Sequence, residues 1–132
     1  MDERQLRGLH RVVQPVLQRT APVESQSTLP LTPAVLDQIA WNVVLAYVAN
    51  VADQAPPGLP RQAKSGEGAL RGEEVRAAVE HLQRGTARLA PKPQTVDRFL
   101  AAARRLLGAY GWAPKRAEQA AQELARSLQS AS

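Results

Sequence analysis

Between Pro33 and Asp53 the apolar positions do not keep to one side of a helix. Placed at a helical period, Val35, Leu36, Ile39, Trp41, Val43, Val44, Leu45, Tyr47, Val48 and Val51 spread over most of the circumference and leave a narrow seam of Gln38, Asn42, Ala49 and Asp53. A helix that is apolar nearly all round needs neighbours on several sides, so this segment is expected at the centre of the molecule. Thr32 followed by Pro33 makes a good start. The hydroxyl accepts from an otherwise unpaired N–H, and proline at the first helical position gives up a donor that had no partner. Ala55-Pro56-Pro57-Gly58 stops the helix.

The remaining periodic segments carry single apolar stripes. From Asp2 to Arg19 the stripe is Leu6, Leu9, Val13, Val16 and Leu17, expected to pack on the central helix. Pro15 lacks an N–H and crowds the carbonyl of Arg11, at a cost of ~3 kcal/mol in a helix interior, so a kink or an early end near Gln14 is expected. His10 falls at the edge of the stripe and reads as a boundary side chain with one nitrogen in water, without a second ligand at helical spacing for a metal. From Glu73, the residues Val75, Ala78, Val79, Leu82, Thr86 and Leu89 keep one phase. This predicts a helix over Glu73 to Leu89 that crosses Gly85 at a local cost of ~1 kcal/mol. Its wet side offers the pairs Arg76–Glu80 and Glu80–Arg84, with His81 pointing outward.

Thr95 is placed as the cap of a helix from Val96 to Tyr110, whose arc is Val96, Phe99, Leu100, Ala103, Leu106, Leu107 and Tyr110. Gly111 suits a left-handed end, and only Trp112 and Ala113 intervene before Pro114 opens a last helix to about Gln129, lined by Ala117, Ala120, Ala121, Leu124 and Leu128. So short a link predicts an antiparallel hairpin over 95–129 with Trp112 plugging its closed end. The expected fold is therefore all-α: one domain over 1–132, a bundle of about five helices around 33–53. Residues 20–32 form a connector tacked down by Leu29 and Leu31, and 54–72 a flexible Pro/Gly-rich basic loop. That loop carries Arg61, Lys64 and Arg71 without periodicity, and reads either as an arm that orders on binding or as a spacer.

Composition narrows the function classes. A chain of 132 residues buries a core without help from metals or disulfides, and the absence of cysteine removes disulfides, cysteine-ligated zinc and thiol catalysis together. The start, MDERQLRGLHRVV, has no apolar run followed by small residues, so a secretory signal is not expected and a cytoplasmic location follows by default. The most apolar window, Ile39 to Ala52, is interrupted by Asn42 and Asn50 and is shorter than the ~20 residues that span a bilayer, so it is read as core and no membrane is expected. The net charge of +5 is uneven. Residues 1–55 hold four cations against five acids (4 − 5 = −1), and residues 56–132 thirteen against seven (13 − 7 = +6).

No catalytic pattern emerges. The only bases near neutrality, His10 and His81, have no Gly-x-Ser-x-Gly elbow or paired histidine beside them, and Gly66-Glu67-Gly68 lacks the third glycine, lysine and preceding strand of a nucleotide loop. Glu73, Glu74 and Glu80 fall on the solvated side, away from any enclosed setting for acid/base work. No enzyme activity, cofactor or metal is expected. Two readings remain. The first is a protein interaction or oligomerisation module, an adaptor or accessory subunit. It is suggested by the surplus apolar surface of the central helix and by a candidate contact surface of Ala101, Ala102, Arg105, Gly108 and Ala109, small residues that let another helix approach. The second is a DNA-binding or nucleoid-associated protein, with Arg84, Arg88, Lys92, Arg98, Arg104, Arg105, Lys115 and Arg116 as candidate phosphate contacts.

Overall fold

The computed structural model describes residues 1–22, 31–54, 56 and 58–132. Its helices are α1 (Glu3–Thr20), α2 (Pro33–Val51), α3 (Arg61–Ser65), α4 (Gly72–Arg84), α5 (Pro93–Ala109) and α6 (Pro114–Ala131). Helix α2 is the axis of an all-α bundle. Helices α1, α3, α4 and α5 pack on it, and α6 closes the bundle against α1 and α5. From Ile39 to Val51 every α2 residue except Trp41 is buried. By length and composition α2 is apolar enough to cross a membrane, yet about two thirds of it is enclosed by the protein's own helices.

Helix α1 begins with a reciprocal cap, in which Gln5 N–H donates to Asp2 Oδ1 at 2.8 Å and Asp2 N–H to Gln5 Oε1 at 3.4 Å. The expected stripe is buried throughout. Pro15 does not end this helix, which continues to Thr20. Pro15 and Arg11 are both exposed, so the carbonyl that loses its partner lies on the wet side, where water replaces the bond. The connector over 20–32 is described only at its ends. Leu29 and the rest of 23–30 lie outside the described residues, while Leu31 is half-buried against the core.

Two helix boundaries differ from expectation. Helix α4 stops at Arg84 instead of crossing Gly85, whose N–H closes onto the carbonyls of His81 and Leu82. The Met1 ammonium donates to the carbonyl oxygens of Leu82 and Gly85, each at 2.7 Å, and so places a positive charge at the C-terminal end of α4, where the helix dipole favours it. The chain then runs extended and pairs with the end of α2: Asp53 N–H donates to Arg88 O at 2.9 Å and Ala90 N–H to Val51 O at 3.0 Å. Leu89 reaches the core from this segment, not from a helix in phase with Leu82. Helix α5 starts at Pro93, so Thr95 sits inside its first turn, where the hydroxyl accepts from Lys92 N–H at 3.0 Å. On α4, Arg76 faces Glu73 at 3.6 Å rather than Glu80.

The hairpin of α5 and α6 forms as expected. Gly111 has φ +104° in the turn, and Trp112 is buried with its indole N–H donating to Thr20 Oγ1 at 3.2 Å, tying the closed end to the end of α1. The segment 54–72 departs most from expectation. It contains α3, buries Ala63 and Leu70, and is bonded to α2 through Asn42 and Asn50.

At the core Tyr47 meets Phe99 edge-on, with ring centroids 5.2 Å apart at 88°. Burial pushes the Tyr47 hydroxyl above its ordinary value of 10.0, an effect that nearby Ser132 partly offsets without making a well-formed hydrogen bond. Since the folded-state value exceeds that of the unfolded chain, the stability this group contributes is fully present below pH 10.0 and is lost as pH rises beyond it. Tyr47→Phe is expected to flatten the alkaline limb of stability against pH. At neutral pH it leaves stability unchanged or raises it by up to ~1 kcal/mol, because no hydrogen bond is lost. Urea midpoints measured across pH check this, and an alkaline limb identical to wild type would exclude it.

Candidate functional site

The polar seam of α2 is spent inside the molecule. Gln38 Nε2 donates to the Tyr110 hydroxyl at 2.9 Å. Asn42 Nδ2 donates to Leu70 O at 2.9 Å while its Oδ1 accepts from Leu70 N–H at 2.7 Å. Asn50 Nδ2 donates to Lys64 O at 2.9 Å. The two asparagines hold the 61–70 segment against the C-terminal two thirds of α2, and Gln38 ties its N-terminal part to the end of α5. The N-terminal part is covered less completely: Val35, Leu36, Asp37, Gln38 and Trp41 are half-buried, and Thr32 to Ala34 are exposed.

That uncovered part forms one wall of a groove of about 500 Å³, with α4 as the other. Trp41, Val75 and Val79 make an apolar floor. The rim carries Asp37, Gln38, Arg76, Glu80 and Gln83. Trp41 is braced from behind by His10, whose ring stacks on it at 4.3 Å and 27°. His10 is half-buried, a boundary side chain as expected, with its Nε2 buried 3.0 Å from Asp37 Oδ1, though not in hydrogen-bond alignment. The same carboxylate oxygen accepts from Gln14 Nε2 at 3.3 Å. This arrangement orients the indole and fixes the carboxylate at the rim. Among the described residues no three metal-ligating side chains gather.

A second concavity, of about 530 Å³, lies between α3 and α5. Arg98, Ala101 and Arg105 fall on one face of α5 by their three- and four-residue spacing, and Arg61 and Lys64 come from α3 across from them. Asn50 lines the pocket from the core side and Glu67 from the loop. Arg105 also donates to Ser65 O at 2.8 Å, satisfying a carbonyl left open at the end of α3. Gly66, at φ +73°, allows α3 to lie directly on α5, since a Cβ there would stand 2.2 Å from the Ala102 carbonyl oxygen.

The expected surfaces are thus redistributed. Of the small-residue set, Ala102 is buried beneath α3 of this same chain, Ala101 is half-buried, and Arg105, Gly108 and Ala109 are exposed. Of the eight expected phosphate contacts, Arg98 and Arg105 line the α3–α5 pocket, while Arg104 pairs with Glu118 at 2.8 Å. Arg84, Arg88 and Lys92 precede α5, and Lys115 and Arg116 follow it. A helix of 17 residues puts ~25 Å between those two groups. Sequence reasoning left Arg61 and Lys64 in a loop. Their three-residue spacing just ahead of Gly66 was the available signal of a helical turn with a left-handed end.

Compared with models of known protein families, with curated proteins and with solved structures, the chain matches none.

Proposed function

We propose that the protein is a non-catalytic interaction module of the cytoplasm, an adaptor or accessory subunit, and that the groove between α2 and α4 receives an amphipathic helix from a protein partner. The observation that carries this reading is Trp41. It is a half-buried indole braced by His10 at the foot of an apolar groove, on the one helix whose other residues from Ile39 onward are enclosed. Aromatic side chains held rigid in a pocket are the residues that dominate binding energy at protein interfaces. The rim favours a partner helix with cationic flanks: Asp37 and Glu80 stand there against Arg76, which has Glu73 beside it, on a protein that is otherwise basic.

A synthetic amphipathic peptide with a leucine face flanked by lysines is the probe. Titrated into isotopically labelled protein, it is expected to shift the Trp41 indole N–H and the amides of residues 75–83, and Val79→Asp is expected to weaken it roughly tenfold by placing a charge on the apolar floor. Shifts centred elsewhere, or a Val79→Asp variant that binds like wild type, would overturn the reading. Light-scattering mass against concentration separates the other occupant: a dimer abolished by Val79→Asp would assign the groove to a second copy of the chain rather than to a different protein.

A further inference from the structure

We infer that the α3–α5 pocket is a binding site for a phosphoryl group. Four cations surround it and one acid lies among them: Arg61, Lys64, Arg98 and Arg105 against Glu67. They reach it from two helices about forty residues apart in sequence, so the cluster is a product of the fold and not of a local charge run. Of the cations outside the pocket, Arg7, Arg19, Arg76 and Arg104 have a carboxylate within ion-pair distance. Here only Arg105 has a carboxylate within ion-pair distance, Glu67 at 3.6 Å. Among the described residues none stands that close to Arg61, Lys64 or Arg98.

The shape of the site adds to its charge. The cations stand around a concavity of about 530 Å³, a size that accommodates a small organic ligand. Its wall is kept open by Ala101 and Ala102, where larger residues would fill it. Three guanidinium groups and one ammonium present planar forks and a point charge to the same volume, a donor set matched to the several oxygens of a phosphoryl dianion. The backbone of α3, which holds two of these cations, is tied down at its end, since Asn50 donates to the Lys64 carbonyl and Arg105 to that of Ser65. The helix that carries Arg61 and Lys64 is therefore in place before a ligand arrives, and only their side chains remain to be ordered by it. The site is separate from the α2–α4 groove and shares no residue with it.

The phosphoryl group has two possible sources, a free phosphorylated molecule or a nucleic-acid backbone, and the test distinguishes them. Sodium tripolyphosphate is titrated calorimetrically into the full chain at low ionic strength, and a short labelled DNA duplex is titrated in parallel. Tripolyphosphate is expected to bind, and the double variant Arg61→Ala/Arg98→Ala to weaken it by roughly tenfold or more, with an unchanged thermal melt, since both residues are exposed and neither side chain has a bonding partner among the described residues. Arg104→Ala, in the ion pair with Glu118, is expected to bind as wild type. Glu67→Gln removes the one acid and is expected to tighten binding several-fold, a gain that no loss of folding imitates. A duplex that binds, is displaced by tripolyphosphate and is lost in the double variant would place the source in nucleic acid. Tripolyphosphate binding without duplex binding would place it in a free molecule. No tripolyphosphate binding at millimolar concentration, a double variant equal to wild type, or an equal loss in Lys115→Ala/Arg116→Ala at the far end of α5 would each overturn the inference.

Discussion

Asn42→Leu is expected to destabilise the protein by about 3–4 kcal/mol, although the substitution makes the central helix more apolar. The reason lies 28 residues away. Asn42 gives Leu70 both a donor and an acceptor, at 2.9 and 2.7 Å, and Leu70 is itself fully buried, so both backbone groups lose the one counterpart they have among the described residues, where water does not reach. Each orphaned group costs ~1–3 kcal/mol, which exceeds the ~0.8 kcal/mol that each added buried methylene returns. The lost bond from Asn42 to Gln38 O adds little, because that carbonyl retains its place in the helix. A drop in melting temperature on the order of 10 °C follows from a loss of this size. Urea denaturation measures it, and hydrogen exchange at the Leu70 amide locates it. A loss below ~1 kcal/mol with the amide still protected would show that the segment is held by side-chain burial alone.

The same pair shows where sequence reading succeeds and where it stops. The periodicity of residues 33–53 identified the axial helix, and the stripes of α1, α5 and α6 identified its sheath, because burial on one face or on all faces leaves its period in the residue order. The seam of Gln38, Asn42 and Asp53 was visible as polar positions, but what they bond to was not. Their partners Tyr110, Leu70 and Arg88 lie 72, 28 and 35 residues on, and such pairs leave no periodic trace.

Gly85 misled for a related reason. Thr86 and Leu89 happen to continue the phase of Leu82, whereas the chain there is extended and bonded to the end of α2. The helix α3 is five residues long, too short to display a period, and its composition of proline and glycine neighbours resembles a loop. Both cations that α3 adds to the basic pocket were therefore invisible as members of a site. Arg98 and Arg105 were singled out only among eight cations of equal standing. The groove beside Trp41 was closer to legible: the surplus of apolar surface on the central helix pointed to an uncovered part, though not to which end of the helix it lay on.

Gly66→Ala is expected to detach the α3 segment from α5, while its neighbour Gly68→Ala is expected to change stability by no more than ~0.5 kcal/mol. The two glycines are two residues apart, and they differ in the physics of the site. Gly66 has φ +73°, where a Cβ costs ~1–2 kcal/mol, and that Cβ would stand 2.2 Å from the carbonyl oxygen of Ala102 and 2.9 Å from its carbonyl carbon. These are backbone atoms of a buried helix and cannot swing aside as the tip of a side chain can. The strain is relieved only by lifting the segment, which breaks the Arg105–Ser65 bond and uncovers Ala63 and Ala102. Gly68 has no positive φ, and a Cβ there meets only the Gln62 side chain at 3.6 Å, an ordinary contact. Because α1, α2, α5 and α6 pack on one another without α3, the lesion is local. Limited proteolysis of Gly66→Ala is expected to cut within residues 61–72 at a rate well above wild type, with most of the helical circular dichroism retained, and tripolyphosphate affinity is expected to fall with it, because Arg61 and Lys64 leave the wall they share with Arg98. Equal protection of the segment in both alanine variants would show that α3 does not lie against α5 at the distance the structure gives.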